Sequence, residues 1–315
     1  MNAINAHTWL EASFVSYCTN HGYSRLNSVE ISSKIDNTVY LVNSATNLFK
    51  CHFGEQNVSI FAYQKSMRTQ ILTNYYQEDS ETEYPSFFES YGIYVSLDRL
   101  EKLMRDAVDF FQSIGFERKN MRVRASADDT QLIEAARRID LLSSVVLDDR
   151  SYKYDHVYGN DLTGRAIKLD YYQTWAKKHK NLCYFILIYE RGVPIGAEMA
   201  TSDQLILMRL NELQYAIAAS KISHLLPLRS FDERRFADSI VGMSHLMYEG
   251  IKPNSSNTNG RTLKKYITAS MTFGEKLGCS PQQIIAVIDE YTLLEYGNHC
   301  NKELISGYLQ HSPKW

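Results

Sequence analysis

The chain has 315 residues, 44% of them hydrophobic, and a formal charge of −2. That supplies apolar material for one large or two modest cores. It argues against a membrane-spanning protein, since no apolar run approaches bilayer length, and against a wholly basic nucleic-acid binder.

The N-terminus carries Trp9, Leu10, Phe14 and Tyr17 at helical spacing, which predicts an amphipathic helix over His7–His21. It lacks the basic-then-apolar order of a signal peptide. β-Branched and aromatic residues predict strands over Val39–Val42, Val58–Tyr63, Phe87–Val95 and Met121–Ala125. Leu97–Ile114 has a helical period, and Gly115 is placed to end it. Two further strands are expected over Arg165–Tyr171 and Leu182–Tyr189, then a buried helix over Gln204–Ile222. The stretch His224–Asp232, with Pro227 and a candidate N-cap at Ser230, reads as a joint. Helices are expected over Glu233–Tyr248, Arg261–Leu277 and Ser280–Tyr296, with a polar loop over Pro253–Gly260. Strands first and helices later predict an α+β domain over residues 1–223 followed by a helical domain over residues 224–315. Five scattered cysteines, none in a CxxC pair, read as reduced thiols of a cytoplasmic protein. His299-Cys300 lacks neighbours at ligand spacing, so no metal site is expected.

Four segments, taken together, resemble the alanyl-tRNA synthetase family. Ile35–Phe53 (IDNTVYLVNSATNLFKCHF) is similar to the family's DPTLLFTNAGM followed by FK and F, matching at Asp36, Thr38, Leu41, Asn43, Ala45, Phe49, Lys50 and Phe53. Tyr63–Arg68 (YQKSMR) is similar to SQKCIR, and Ser86–Ser96 (SFFESYGIYVS) to TFFEMLGNFSF. Ala237–Ile240 (ADSI), Gly250–Pro253 (GIKP) and Asn259–Ile267 (NGRTLKKYI) resemble ADHIR, DGVLPSNEGRG and LRRI of the tRNA-recognition region. The order is conserved between the two, and the resemblance covers most of the chain. The 315 residues leave no room for the family's editing and C-terminal oligomerisation domains.

The resemblance implies a class II aminoacyl-tRNA synthetase-like antiparallel sheet flanked by helices, followed by an all-helical region. It implies ATP and Mg²⁺, and an amino-acid substrate joined to ATP as an adenylate. Because an anion must attack an anion there, cations are needed in the transition state, and arginine's planar fork suits phosphate oxygens. Arg68 corresponds to the arginine on the α-phosphate and Phe88 to the adenine-stacking ring. Tyr84 stands where the family has a histidine. Without the resemblance, Phe88 is an ordinary sheet-core residue and Arg68 a surface arginine. In Asp203–Leu210 (DQLILMRL), Asp203 falls at the position that holds the substrate's α-amino group, and Arg209 one residue short of the second ATP arginine. A plain buried helix explains that segment equally well.

Several positions depart from the family. Its two glycines after Asp203 are aliphatic here. In Asn160–Ile167 the ATP-organising glutamate becomes Ala166, with Arg165 beside it. His156 or a neighbour replaces the tryptophan that borders the alanine pocket. The Thr69–Glu83 loop carries four acids and no base, which would repel a phosphodiester chain. Asn259, Arg261, Lys264 and Lys265 keep a strip that would face tRNA or another acceptor. Arg118, Lys119, Arg122 and Arg124 form a second basic cluster that reads as solvated. The expected function is activation of a small amino acid and its transfer to a tRNA, a carrier protein or a small molecule. The alternatives are a minimal synthetase charging tRNA, and an inactive paralogue that binds tRNA or a protein. Since the alanyl family does not pair through motif 1, a monomer is expected.

Overall fold

The computed structural model of the chain describes residues 3–78, 84–140, 145–148, 155–159 and 161–310. Among these, one sheet runs through the strands β1 (Ser24–Arg25), β2 (Ser59–Met67), β3 (Phe87–Val95), β4 (Met121–Ala125), β5 (Val145–Leu147), β6 (Asp155–Gly159), β7 (Leu162–Gln173), β8 (Lys178–Glu190) and β9 (Val193–Ser202). The spatial order is β1-β2-β3-β9-β8-β7-β4-β5, with β6 folded back on β7. The pairings from β2 across to β4 are antiparallel, while both edges add a parallel strand, β1 on β2 and β5 on β4. The sheet is therefore antiparallel through its body and parallel only at its two margins.

Helices α1 (Ala3–Asn20) and α3 (Leu100–Ser113) cover one face. Strand alternation explains why: Tyr91, Ile93 and Val95 of β3 turn into the same core as Phe14, Leu103 and Phe111. Phe14 stacks on Tyr91 with centroids 4.8 Å apart. The even positions of β3 face the other way. There the short helix α2 (Thr46–Phe49) sits so close that a Cβ on Gly92 would lie 2.8 Å from the Phe49 ring. Gly92 thus permits the segment before β2 to lie on the sheet.

After β9 come α5 (Asp203–Leu210), then α6 (Phe231–Tyr248), α7 (Thr258–Lys276), α8 (Pro281–Tyr296) and α9 (Lys302–Gln310). The helix α4 (Thr130–Arg138) lies earlier, between β4 and β5. Helix α6 opens with a capping box from Ser230 and Glu233, as the sequence signal predicted. Side chains of α6–α9 share one hydrophobic cluster with Met67 of β2 and Phe87 of β3. The last helices are thereby packed directly on the strands described below.

Three expectations need correction. Val39–Val42 is irregular chain, not a strand; Val42 docks by accepting the Met67 backbone N–H at 2.9 Å and donating to Ile31. The helix expected to reach Ile222 ends at Leu210, where Glu212 takes φ +54° and the chain continues in short 3₁₀ turns. Strand β9 carries Pro194 and Gly196 and no clean alternation, so it was not predicted, yet it is paired on both sides.

His245 of α6 is fully buried against Phe87, with Nε2 3.1 Å from the Tyr291 hydroxyl and Nδ1 bonded to Tyr296. Burial pushes its imidazole down to about 3. The unfolded chain then binds the extra proton below about pH 6.5, so this residue's contribution weakens as pH falls. His245→Asn should therefore lose part of its destabilisation relative to wild type between pH 7 and pH 5, by about 2 kcal/mol. Denaturant titrations of both proteins at the two pH values measure it, and a pH-independent gap would contradict the neutral buried imidazole.

Candidate functional site

On the face of the sheet opposite α1 and α3 lies a cavity of about 620 Å³. Its floor is made by alternate residues of three neighbouring strands: Phe88 and Ser90 of β3, Ala200 of β9, and Tyr184 and Ile186 of β8. One wall is the segment Thr38–Lys50, the other the β6 residues His156–Gly159. Arg68, Gln70 and Tyr84 complete the rim.

A polar network holds the first wall. Asp36 accepts from the Thr38 backbone and hydroxyl at 2.9 and 2.7 Å, from Asn47 at 2.6 Å and from Lys50 at 2.6 Å. Burial alone would raise the Asp36 carboxyl, but the Lys50, Thr38 and Asn47 hydrogen bonds outweigh it and hold the group below its usual value. Lys50 also donates to Thr38 Oγ1 and to the Tyr158 carbonyl, both at 2.7 Å. All three of its protons are thereby engaged, and the lysine ties one wall of the cavity to the other.

Arg68 is different. Its guanidinium lies over the Tyr84 ring at 4.2 Å and beside the Phe88 ring at 5.4 Å, and among the described residues it meets no carboxylate. Tyr84 is steadied by Asn181, which donates to its hydroxyl at 3.2 Å. Cation and rings arrive together because β2 and β3 pair in register, Met67 opposite Phe87 and Ser66 opposite Phe88. The Arg68 backbone N–H donates to the Ser86 carbonyl at 2.8 Å. Ser86 is in turn gripped by Asp238 of α6, which accepts from its N–H at 2.7 Å, from its hydroxyl at 2.6 Å and from Tyr75 at 2.7 Å.

Two of the residues singled out in the sequence lie elsewhere. Arg209 is 1% exposed on α5, where its Nε donates to the Asn181 carbonyl at 2.9 Å. Its neighbours Leu205–Met208 belong to the main core and do not enter the cavity. Asp203 is buried in the first turn of α5, paired with His7 at 2.8 Å and accepting the Glu89 N–H at 2.9 Å. Neither lines the cavity. Ala166 is buried in the small cluster beneath the cavity, and Arg165 pairs with Asp129 at 2.9 Å and Asp155 at 2.5 Å, bracing β6. The cluster read as solvated is partly bound: Arg124 forks onto Asp170 with two bonds of 2.9 Å, and Arg122 lies 3.7 Å from the same carboxylate. Arg261, Lys264 and Lys265 are exposed and Asn259 half-buried at the start of α7, away from the cavity lining. Arg261 and Lys264 bond the Ser255 carbonyl and hydroxyl at 3.1 and 2.9 Å, bracing their own loop. Of the acidic loop, residues 79–83 lie outside the described residues, as does Asn160.

His156 lines the cavity. Burial, reinforced by Lys168 and Arg68, pushes its imidazole down to about 4, so the ring is neutral near pH 7. Glu198 of β9, on the same face as Ala200, is fully buried, accepting from Thr46 at 2.6 Å, and burial pushes its carboxyl up to about 8. Sequence reasoning missed Ser90, Tyr184 and Glu198. The period of two from Phe88 points to Ser90, but nothing local distinguishes Glu198 without β9.

No family model matches the chain, and no curated protein matches it. Among solved structures, it is similar to apo histidyl-tRNA synthetase of S. aureus, with 13% identity over 86% of this chain and 85% of that one, TM-score 0.44. A putative threonyl-tRNA synthetase of Aeropyrum pernix shows 12% identity over 78% and 69%, TM-score 0.42. The fold itself is α+β, and the site's chemistry rests on its own residues.

Replacing Asp238 by Ala would strand the Ser86 N–H and hydroxyl in the interior and leave the Tyr75 hydroxyl only the Arg235 carbonyl at 3.1 Å. A loss of about 3 kcal/mol or more is expected by denaturant titration. Unchanged stability would show that the clamp on β3 is dispensable.

Proposed function

We propose that the cavity binds ATP and an amino acid and joins them as an aminoacyl adenylate. The observation that carries this reading is Arg68, a cation set against two aromatic faces at the rim of a cavity and paired with no described carboxylate. In this reading the adenine lies on the Phe88 and Tyr84 rings and Arg68 turns to the α-phosphate. The amino-acid carboxylate attacks the α-phosphorus, pyrophosphate leaves, and the guanidinium neutralises the charge that gathers on the phosphoryl oxygens. Among the described residues no group of three or more His, Cys, Asp or Glu is arranged to hold a metal ion, and Asp36 at the wall is already bonded to Lys50. Magnesium arriving on ATP would be held by the phosphates with one or two carboxylates, and no step is assigned to it. The acceptor, whether tRNA, carrier protein or small molecule, would approach over the rim.

A second reading is a core that binds both ligands without activating them. The placement of Arg209 and Asp203 in the interior favours it, because the second cation and the ammonium-binding carboxylate implied by the resemblance are then missing.

Amino-acid-dependent exchange of labelled pyrophosphate into ATP separates the two. Activation predicts exchange with at least one amino acid, and a fall of about 100-fold or more in Arg68→Ala, only partly restored in Arg68→Lys. No exchange with any amino acid, alongside intact binding of a non-hydrolysable ATP analogue, would establish the second reading.

A further inference from the structure

Three buried polar atoms near β6, His156 Nε2, Tyr158 Oη and Glu198 Oε2, have no hydrogen-bond partner among the described residues. His156 and Tyr158 line the cavity directly. Glu198 reaches it through Thr46, a lining residue whose hydroxyl donates to Glu198 Oε1 at 2.6 Å. Tyr158 is fixed in place. Its ring packs so closely on β7 that a Cβ on Gly164 would lie 2.9 Å away, and its carbonyl is held by Lys50 at 2.7 Å. The His156 and Tyr158 rings are near-parallel, 10° apart.

Each buried, unmet polar group costs about 1–3 kcal/mol, and three in one place call for an explanation. Their character is readable. Burial keeps Glu198 protonated near pH 7 and the Tyr158 phenol well above its usual range. Since Thr46 donates to Oε1, the Glu198 proton sits on Oε2. Two O–H donors therefore lack acceptors, beside a neutral imidazole that can supply either a donor or an acceptor. An ammonium or a methyl group offers these donors nothing. A neutral oxygen satisfies them.

We propose that the amino acid taken by this cavity bears a hydroxyl or carboxamide side chain, and that Tyr158 and His156, with Glu198 behind Thr46, read its oxygen. This rests on the cavity being the amino-acid site, and it replaces the methyl group of alanine as the recognised feature. A site built to bond a substrate oxygen rejects the analogue without it far more strongly than an apolar pocket rejects an extra atom.

The test is calorimetric binding with a saturating non-hydrolysable ATP analogue, comparing serine with alanine, threonine with valine, and asparagine with leucine. One oxygen-bearing member is expected to bind about 100-fold or more tightly than its apolar counterpart. Tyr158→Phe should cut that preference at least tenfold. His156→Phe should do the same if the tyrosine variant fails to fold. Equal binding of the apolar partner, best binding of a charged side chain, or analogue binding with no amino-acid binding would overturn the proposal and leave the nucleotide site standing. Failure to bind both analogue and amino acids would overturn the cavity reading as well.

Discussion

The Asp238 carboxylate accepts hydrogen bonds from the Ser86 N–H, the Ser86 hydroxyl and the Tyr75 hydroxyl, and the strand carrying Phe88 begins at that point. A carboxyl acceptor meeting three donors in the interior is strongly directional. Through it the helical region decides where β3 starts, hence which of its residues face the cavity. A shift of one residue would send Phe87 to the cavity and Phe88 to the core, since side chains alternate along a strand. His245 reinforces the setting by stacking on Phe87. The helices are therefore part of the cavity's construction even though they contribute none of its lining residues.

The two faces of the sheet divide the electrostatics. On the helix side, His7 pairs with Asp203, and Glu295 holds Lys65 at 3.4 Å and Lys221 at 2.9 Å. These charges are matched close to where they lie. For His7 burial alone would lower the imidazole, but the Asp203 hydrogen bond and charge outweigh it and raise the group. On the cavity side, Asp36 and Lys50 cancel one another as a wall brace, which leaves Arg68 to define the charge a ligand meets. The cavity joins a cationic rim to a neutral, hydrogen-bonding flank at His156, Tyr158 and Glu198.

Much of this was legible in the sequence, for physical reasons that differ by residue. β3 is dense in aromatic and β-branched residues, β4 alternates apolar residues with arginines, and α6, α7 and α8 show apolar spacing at the helical period with capping signals, so local pattern suffices. β9 has neither, and its place is set by pairing on both sides. The resemblance brought Arg68, Tyr84, Phe88 and His156 to one cavity, because strand register carries spacing faithfully. It failed for Arg209 and Asp203. Arg209 falls one residue short of the assigned position, and one residue on a helix is a rotation of about 100°. With aliphatics in place of glycines, that turn is drawn into the core. Glu198 and its unmet oxygen were invisible, since a glutamate among Gly196, Ala197, Met199 and Ala200 gives no sign of its partners until the strand's pairing is known.

The account stands or falls on what Arg68 holds. A crystal structure with a non-hydrolysable ATP analogue tests this most directly. The account predicts the adenine stacked on Phe88 or Tyr84, with a phosphate oxygen within hydrogen-bond distance of the Arg68 guanidinium. Density for the nucleotide outside this cavity, or Arg68 still flat on Tyr84 and untouched by phosphate, would contradict it.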